Sequence, residues 1–183
     1  MIVLCLSIPS IAQNRKSSKI DKQFPTQYPF PNDYFGDYNG NLSVFKGNDL
    51  SENHPMDLYF YPTKEEGVYR YSLIYFLGSV KQVQDYRIIT QDKEKGLYIF
   101  EESNGLQFQA ILINNVLRSV FEVGDSVCYS EIDFNRKDKI VLRIITSFKS
   151  LALNTQSKDK KTKMGSYGIA ITQVASLSRK YED

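Results

Sequence analysis

From Tyr34 onward, apolar and polar residues alternate in short runs, and a turn signal interrupts the pattern roughly every ten residues. Leu42 and Val44 begin the series, and Met56, Leu58 and Phe60 then alternate with Asp57, Tyr59 and Tyr61. Further runs occupy residues 68–77, 83–90, 97–102, 106–113, 116–123, 127–134, 140–148 and 167–177. A period of two places alternate side chains on opposite faces, and the Tyr, Phe, Ile and Val that fill these runs suit a pleated surface, so each predicts a strand.

The connections are short. Lys64-Glu65-Glu66-Gly67, Ser103-Asn104-Gly105, Asn114-Asn115, Gly124-Asp125 and Asn135-Arg136-Lys137-Asp138 read as hairpin turns. None leaves room for a crossover helix, which excludes parallel pairing for most of the sheet. An open meander of this length would expose two long edges, and closure removes them. The expected fold is therefore all-β, an up-and-down antiparallel β-barrel of about 8–10 strands, with a two-sheet sandwich as the alternative. One segment breaks the pattern: residues 151–163 are polar and carry Lys158, Lys160, Lys161 and Lys163. They read as a long solvated hairpin loop or as a patch for an acidic ligand or surface.

A chain of 183 residues suits one domain, and 13 Tyr with 11 Phe supply ample surface to bury. With 23 Lys+Arg against 21 Asp+Glu there is no basic excess of the kind that neutralises phosphates, which argues against nucleic acid. Residues 2–11 form an uncharged apolar run, followed by Ala12-Gln13, with Ser10 and Ala12 at the −3 and −1 positions of a cleavage site. That is a secretory signal pattern lacking its basic start, which an upstream start codon would supply; a buried N-terminal strand is the alternative. The expected organisation is a signal remnant at 1–12, an extended leader at 13–33 and a barrel at 34–183. The exported product would be periplasmic or extracellular. Cleavage would leave Cys128 alone, unable to form an internal disulfide and expected as a small buried residue. No later run is long and apolar enough for a transmembrane helix.

The first predicted strand contains Phe35-Gly36-Asp37-Tyr38-Asn39-Gly40. Gly36-Asp37-Tyr38 resembles the Gly-x-Trp element that opens lipocalins and related calycin barrels, with Tyr in place of Trp. The strand order and barrel length match in outline over residues 34–181, and the chain is similar to lipocalin-like proteins exported by Bacteroidota. The resemblance implies a barrel with a ligand-sized interior and carries over no catalytic residue. The haem-binding nitrobindin group within the calycins uses a histidine late in the barrel; here the single histidine is His54, expected in a surface loop before the second strand.

One histidine also excludes a His-rich metal site within the chain, and no nucleophile elbow, P-loop or dinucleotide motif accompanies it. No catalytic residue, metal site or cofactor is assigned. Glu101 and Glu102 are adjacent and point to opposite faces of a strand. Glu131 and Asp133 share one face, either as a solvated pair or as an acid–base pair. The aromatic run is more suggestive. Tyr69, Tyr71, Leu73, Tyr75 and Leu77 share a face, so an inward orientation would bring three hydroxyls into an apolar interior, the composition a small-molecule pocket requires. Arg87, Gln107 and Gln109 are polar positions in apolar strands, and Arg143 is a fourth. An inward arginine would need a carboxylate or an anionic ligand. The candidate ligand-binding residues are Tyr71, Tyr75, Arg87, Gln107 and Gln109. The expected function is non-enzymatic binding of a small apolar or amphipathic molecule. The alternatives are a cell-envelope interaction protein with a filled barrel, or a carboxylate-based hydrolase or isomerase.

Overall fold

A computed structural model describes residues 30–181; the expected signal remnant at 1–12 and the leader up to residue 29 lie outside the described residues. Ten strands follow one another: β1 (Gly36–Lys46), β2 (Asp49–Pro62), β3 (Val68–Leu77), β4 (Val80–Asp92), β5 (Leu97–Glu102), β6 (Gln107–Ile113), β7 (Val116–Val123), β8 (Ser126–Arg136), β9 (Lys139–Gln156) and β10 (Lys163–Arg179). Each pairs antiparallel with its sequence neighbours, and β10 pairs back onto β1, giving a closed up-and-down barrel rather than a sandwich. The two-residue turn Asn114-Asn115 has both residues at positive φ (51° and 56°), the geometry that matches the right-handed twist of a hairpin.

Closure depends on Gly40. A β-carbon there would stand 2.1 Å from the Ser176 carbonyl oxygen, so only glycine lets β1 approach β10 this closely. Inward residues of successive strands stack into a core of Tyr38, Leu42, Leu58, Phe60, Tyr71, Leu73, Ile88, Phe100, Leu117, Ile132, Phe134, Leu142 and Leu177. The two ends of the barrel differ. At the end holding the 63–67, 93–96 and 114–115 turns, a 3-10 turn (Asn32–Tyr34) crosses the base. There Phe30 packs against Tyr98 and Phe134, with ring centroids 5.4 and 5.0 Å away, and Tyr34 is fully buried. The last residues of the expected leader therefore form a plug rather than an extended segment over the surface.

The opposite end has no such plug among the described residues. Its rim is uneven, because β5 reaches only to Glu102, opposite Tyr86, while β4 continues upward to Val80. The ladder between β6 and β7 covers only Ile111–Ile113 against Val116–Arg118. Two expectations are corrected here. His54 and Pro55 lie inside β2, not in a loop before it; Pro55 pairs with Asn41 of β1, and the ladder to β3 starts one residue later, so β2 is an edge at the proline, where a missing N–H is tolerated. Residues 151–163 are not a long loop: β9 and β10 continue as a two-stranded arm around a short turn.

Candidate functional site

The odd face of β3 points inward: Tyr71 and Leu73 are buried, and Tyr75 packs against the core from nearer the rim. Register then settles the neighbouring strands. Tyr71 lies opposite Tyr86, and Leu73 opposite Gln84, so Gln84, Tyr86 and Ile88 form the inward face of β4. On β5 and β6, Phe100 opposes Phe108; on β7 and β8, Ser119 opposes Ser130 and Phe121 opposes Cys128. Of these side chains, Tyr71, Leu73, Tyr86, Phe108, Phe121 and Ser130 help to line an interior cavity of about 60 Å³.

Tyr71 gives this cavity its character. Its hydroxyl is buried and has no hydrogen-bond partner, a condition that costs about 1–3 kcal/mol. Its phenol is held neutral, with a pKa well above the ordinary tyrosine value through burial and the neighbouring Tyr75 and Tyr86. Nearer the rim, Tyr75 and Tyr86 both donate long hydrogen bonds to Gln84 Oε1, at 3.3 and 3.4 Å. Burial raises the Tyr75 pKa, and burial with the nearby Glu102 pushes that of Tyr86 up to about 12. Three neutral phenols and one amide thus sit in an apolar wall. One side of the wall is a stack of three rings: Phe100 stacks on Phe108 at 5.0 Å and 2°, and Phe108 on Phe121 at 4.4 Å. Phe108 and Phe121 occupy the stretch where β6 and β7 are no longer paired.

Three of the sequence-derived candidates lie elsewhere. Arg87 points outward, because its neighbours Tyr86 and Ile88 take the interior; it pairs with Glu101 at 2.9 Å and Glu65 at 2.6 Å. Gln107 is exposed and donates to Glu101 at 2.7 Å. Gln109 is exposed opposite Ile99, since Phe108 and Ala110 face inward. The outer concavity that Arg87 helps to line is larger, about 650 Å³, but both of its arginines are already paired with carboxylates, Arg70 with Asp85 and Arg87 with Glu65 and Glu101. The interior cavity is small, and Tyr71, which lines it, has a buried hydroxyl without a partner.

The carboxylates are structural in their contacts. Glu131 lies on the outer face, 3.0 Å from Arg118 Nε and 2.9 Å from Arg143 Nη1, and accepts from Tyr129 at 2.6 Å. The Tyr129 hydrogen bond, with the two arginines, holds its carboxyl below the ordinary range. It ties β7, β8 and β9 together across the exterior. His54 faces the rim and bonds Glu52 at 3.0 Å. Cys128 is buried, with Sγ 3.8 Å from Thr146 Oγ1. No group of three or more potential metal ligands occurs among the described residues. Gln84, Tyr86, Ser130, Phe108 and Phe121 were missed in the sequence. Register propagated outward from Tyr71 was the signal that could have found them.

No family model and no curated protein matches the chain. Among solved structures, it resembles the S-type phycobiliprotein lyase CPES from Guillardia theta, with a TM-score of 0.57 and 8% identity over 83% of this chain and 91% of that one. It also resembles a protein of unknown function of the DUF3598 family from Nostoc punctiforme, with a TM-score of 0.52 and 13% identity over 81% of this chain. The match covers 48% of that protein, so this chain spans about half its length. At such identities the likeness concerns the fold, a calycin-like, lipocalin-like barrel.

Proposed function

We propose that the chain is an exported, non-enzymatic lipocalin-like carrier, of the kind exported by Bacteroidota, that takes a small, mainly apolar ligand through the unplugged end of its barrel. The observation that carries this reading is the buried, unpartnered hydroxyl of Tyr71, a residue that lines an apolar cavity. A ligand oxygen or nitrogen meeting that hydroxyl would relieve a standing cost, which binding to a fully satisfied wall could not do. The cavity of about 60 Å³ holds only a few heavy atoms, so it suits the polar head of the ligand. The remainder would run past Tyr75 and Tyr86 and lie along Phe108 and Phe121, whose stacked rings favour a flat or conjugated body. The fold shared with a phycobiliprotein lyase supports a barrel that takes a small molecule.

Native mass spectrometry of the protein purified from its own host, before and after denaturation, tests the reading. A bound small molecule lost on denaturation, and absent from Tyr71→Phe, is the expected result. A ligand retained unchanged by Tyr71→Phe would remove Tyr71 from the site. An apo mass together with no binding across a panel of flat hydrophobic dyes would favour the second reading, an envelope interaction protein with a filled barrel. The dense aromatic packing of the lower half supports that alternative.

A further inference from the structure

The arm formed by β9 and β10 rises from the rim of the unplugged end. Pairing of β8 with β9 stops at Ser126–Phe148, and pairing of β1 with β10 stops at Lys46–Ile171. Beyond those points the two strands pair only with each other, for a reach of about 25 Å. An isolated two-stranded ribbon gains little from its own ladder. This one nevertheless carries large apolar side chains in solvent: Leu151, Leu153 and Met164 are 55%, 64% and 63% exposed, and Tyr167 and Ile169 lie nearer its root. Leu153 pairs with Ser166 and Thr155 with Met164, so Leu153 and Met164 share one face.

The tip supplies the charge. Lys158, Lys160, Lys161 and Lys163 stand within six positions, and none has an ion-pair partner among the described residues. The one carboxylate among them, Asp159, is engaged inside the turn, accepting from Ser157 Oγ at 2.5 Å and from the Lys161 N–H at 3.1 Å. The turn is held further by Ser157 N–H to Thr162 O at 2.9 Å and Gln156 Nε2 to Lys160 O at 2.9 Å. The lysines are therefore presented by an ordered turn, with apolar side chains directly behind them.

We infer that the arm docks the protein on an anionic lipid bilayer. Apolar side chains backed by unpaired cations and long lysine stems are what the interface of such a bilayer rewards. Both outer edges of the ribbon keep unpaired backbone groups, which forbids deep insertion into hydrocarbon and sets the arm in the headgroup layer. Docking there would hold the barrel mouth close to the membrane. The inference stands apart from the carrier reading, because it needs no bound ligand.

Flotation of the full chain with vesicles tests it, using phosphatidylcholine alone and phosphatidylcholine mixed with phosphatidylglycerol. The protein should float with the anionic vesicles, remain in solution with the neutral ones, and be released by high salt. Lys160→Gln with Lys161→Gln should lower the partition coefficient roughly 30-fold. Leu153→Asp should abolish flotation while leaving the circular dichroism of the barrel unchanged, and Leu153→Ser serves as a milder control. No flotation with anionic vesicles, or flotation indifferent to both changes, would overturn the inference. So would a dimer in sedimentation that Leu153→Asp makes monomeric without any vesicle binding, since the arm would then be covered by a second copy.

Discussion

Arg179 and Tyr38 lie 141 residues apart and lock the end of β10 to the start of β1: Arg179 Nη2 donates to Tyr38 Oη at 2.7 Å, and the guanidinium carbon sits 5.3 Å from the ring centroid. The same nitrogen donates to the Asp33 carbonyl at 2.6 Å, while the Tyr38 hydroxyl donates to the Tyr34 carbonyl at 2.7 Å. One guanidinium thus joins the last strand, the first strand and the plug. Lysine has the charge but not the fork. Arg179→Lys should lower stability by about 2 kcal/mol, seen as a lower midpoint in urea unfolding with an unchanged slope. An unchanged midpoint would deny the guanidinium this role.

Gly40→Ala should be more damaging than a surface glycine change. The added methyl meets the Ser176 carbonyl, a backbone atom that cannot swing aside. A loss of about 2–3 kcal/mol is expected, with faster hydrogen exchange along the β1–β10 ladder than elsewhere in the barrel. Uniform exchange across all ladders would show that the strain is absorbed without opening the seam.

Removing an unsatisfied buried hydroxyl should stabilise the empty protein. Tyr71→Phe is expected to gain about 1 kcal/mol in thermal or urea unfolding, while weakening ligand retention. The opposite signs of these two effects separate a binding group from a structural one. A destabilised Tyr71→Phe protein would mean that the hydroxyl has a partner.

Alkaline pH should unfold the barrel through its interior tyrosines. The pKa of Tyr86 is raised to about 12 from an ordinary 10.0, and those of Tyr71 and Tyr75 are also raised. The folded state therefore retains protons that the unfolded state has lost. Stability is fully present below about pH 10 and falls as pH rises towards 12 and beyond. Phenolate absorbance should show these tyrosines ionising together with unfolding rather than before it, and Tyr86→Phe should make the alkaline loss shallower.

Arg87→Ala and Gln109→Ala should leave ligand retention unchanged, because both side chains lie outside the barrel wall. The Arg87 pairs are partly exposed, so the change should cost no more than about 1 kcal/mol of stability. Loss of ligand in either variant would move the site to the outer cleft.

The ten strands were legible in the sequence because each run alternates and each break holds a turn residue. Which face points inward was legible only where the two faces differ. On β3 the tyrosines mark one face clearly. On β4, Ile88 and Ile89 are both apolar although only Ile88 lies in the core, so the pattern gave Arg87 no side, and its environment had to come from pairing with β5. Gln107 and Gln109 flank Phe108, and the inward residue of that set is the aromatic one. The arm was hidden by composition: its polar, lysine-rich turn reads as a loop, and strands with no core behind them lack the contrast between faces that a core imposes. His54 was misplaced by its proline neighbour, which ends a central strand but is tolerated at an edge.

The seam between β1 and β10 also dictates an order of assembly. Every other pairing joins neighbouring hairpins and can form from local chain, but β1 has no second neighbour until residues 171–179 exist. During synthesis the growing sheet would carry an open edge at β1 throughout, and a second at each newest strand. The slow, entropically costly step of folding is then the joining of the first barrel strand to the last, and any partner or chaperone that guards the nascent chain would find its target at β1.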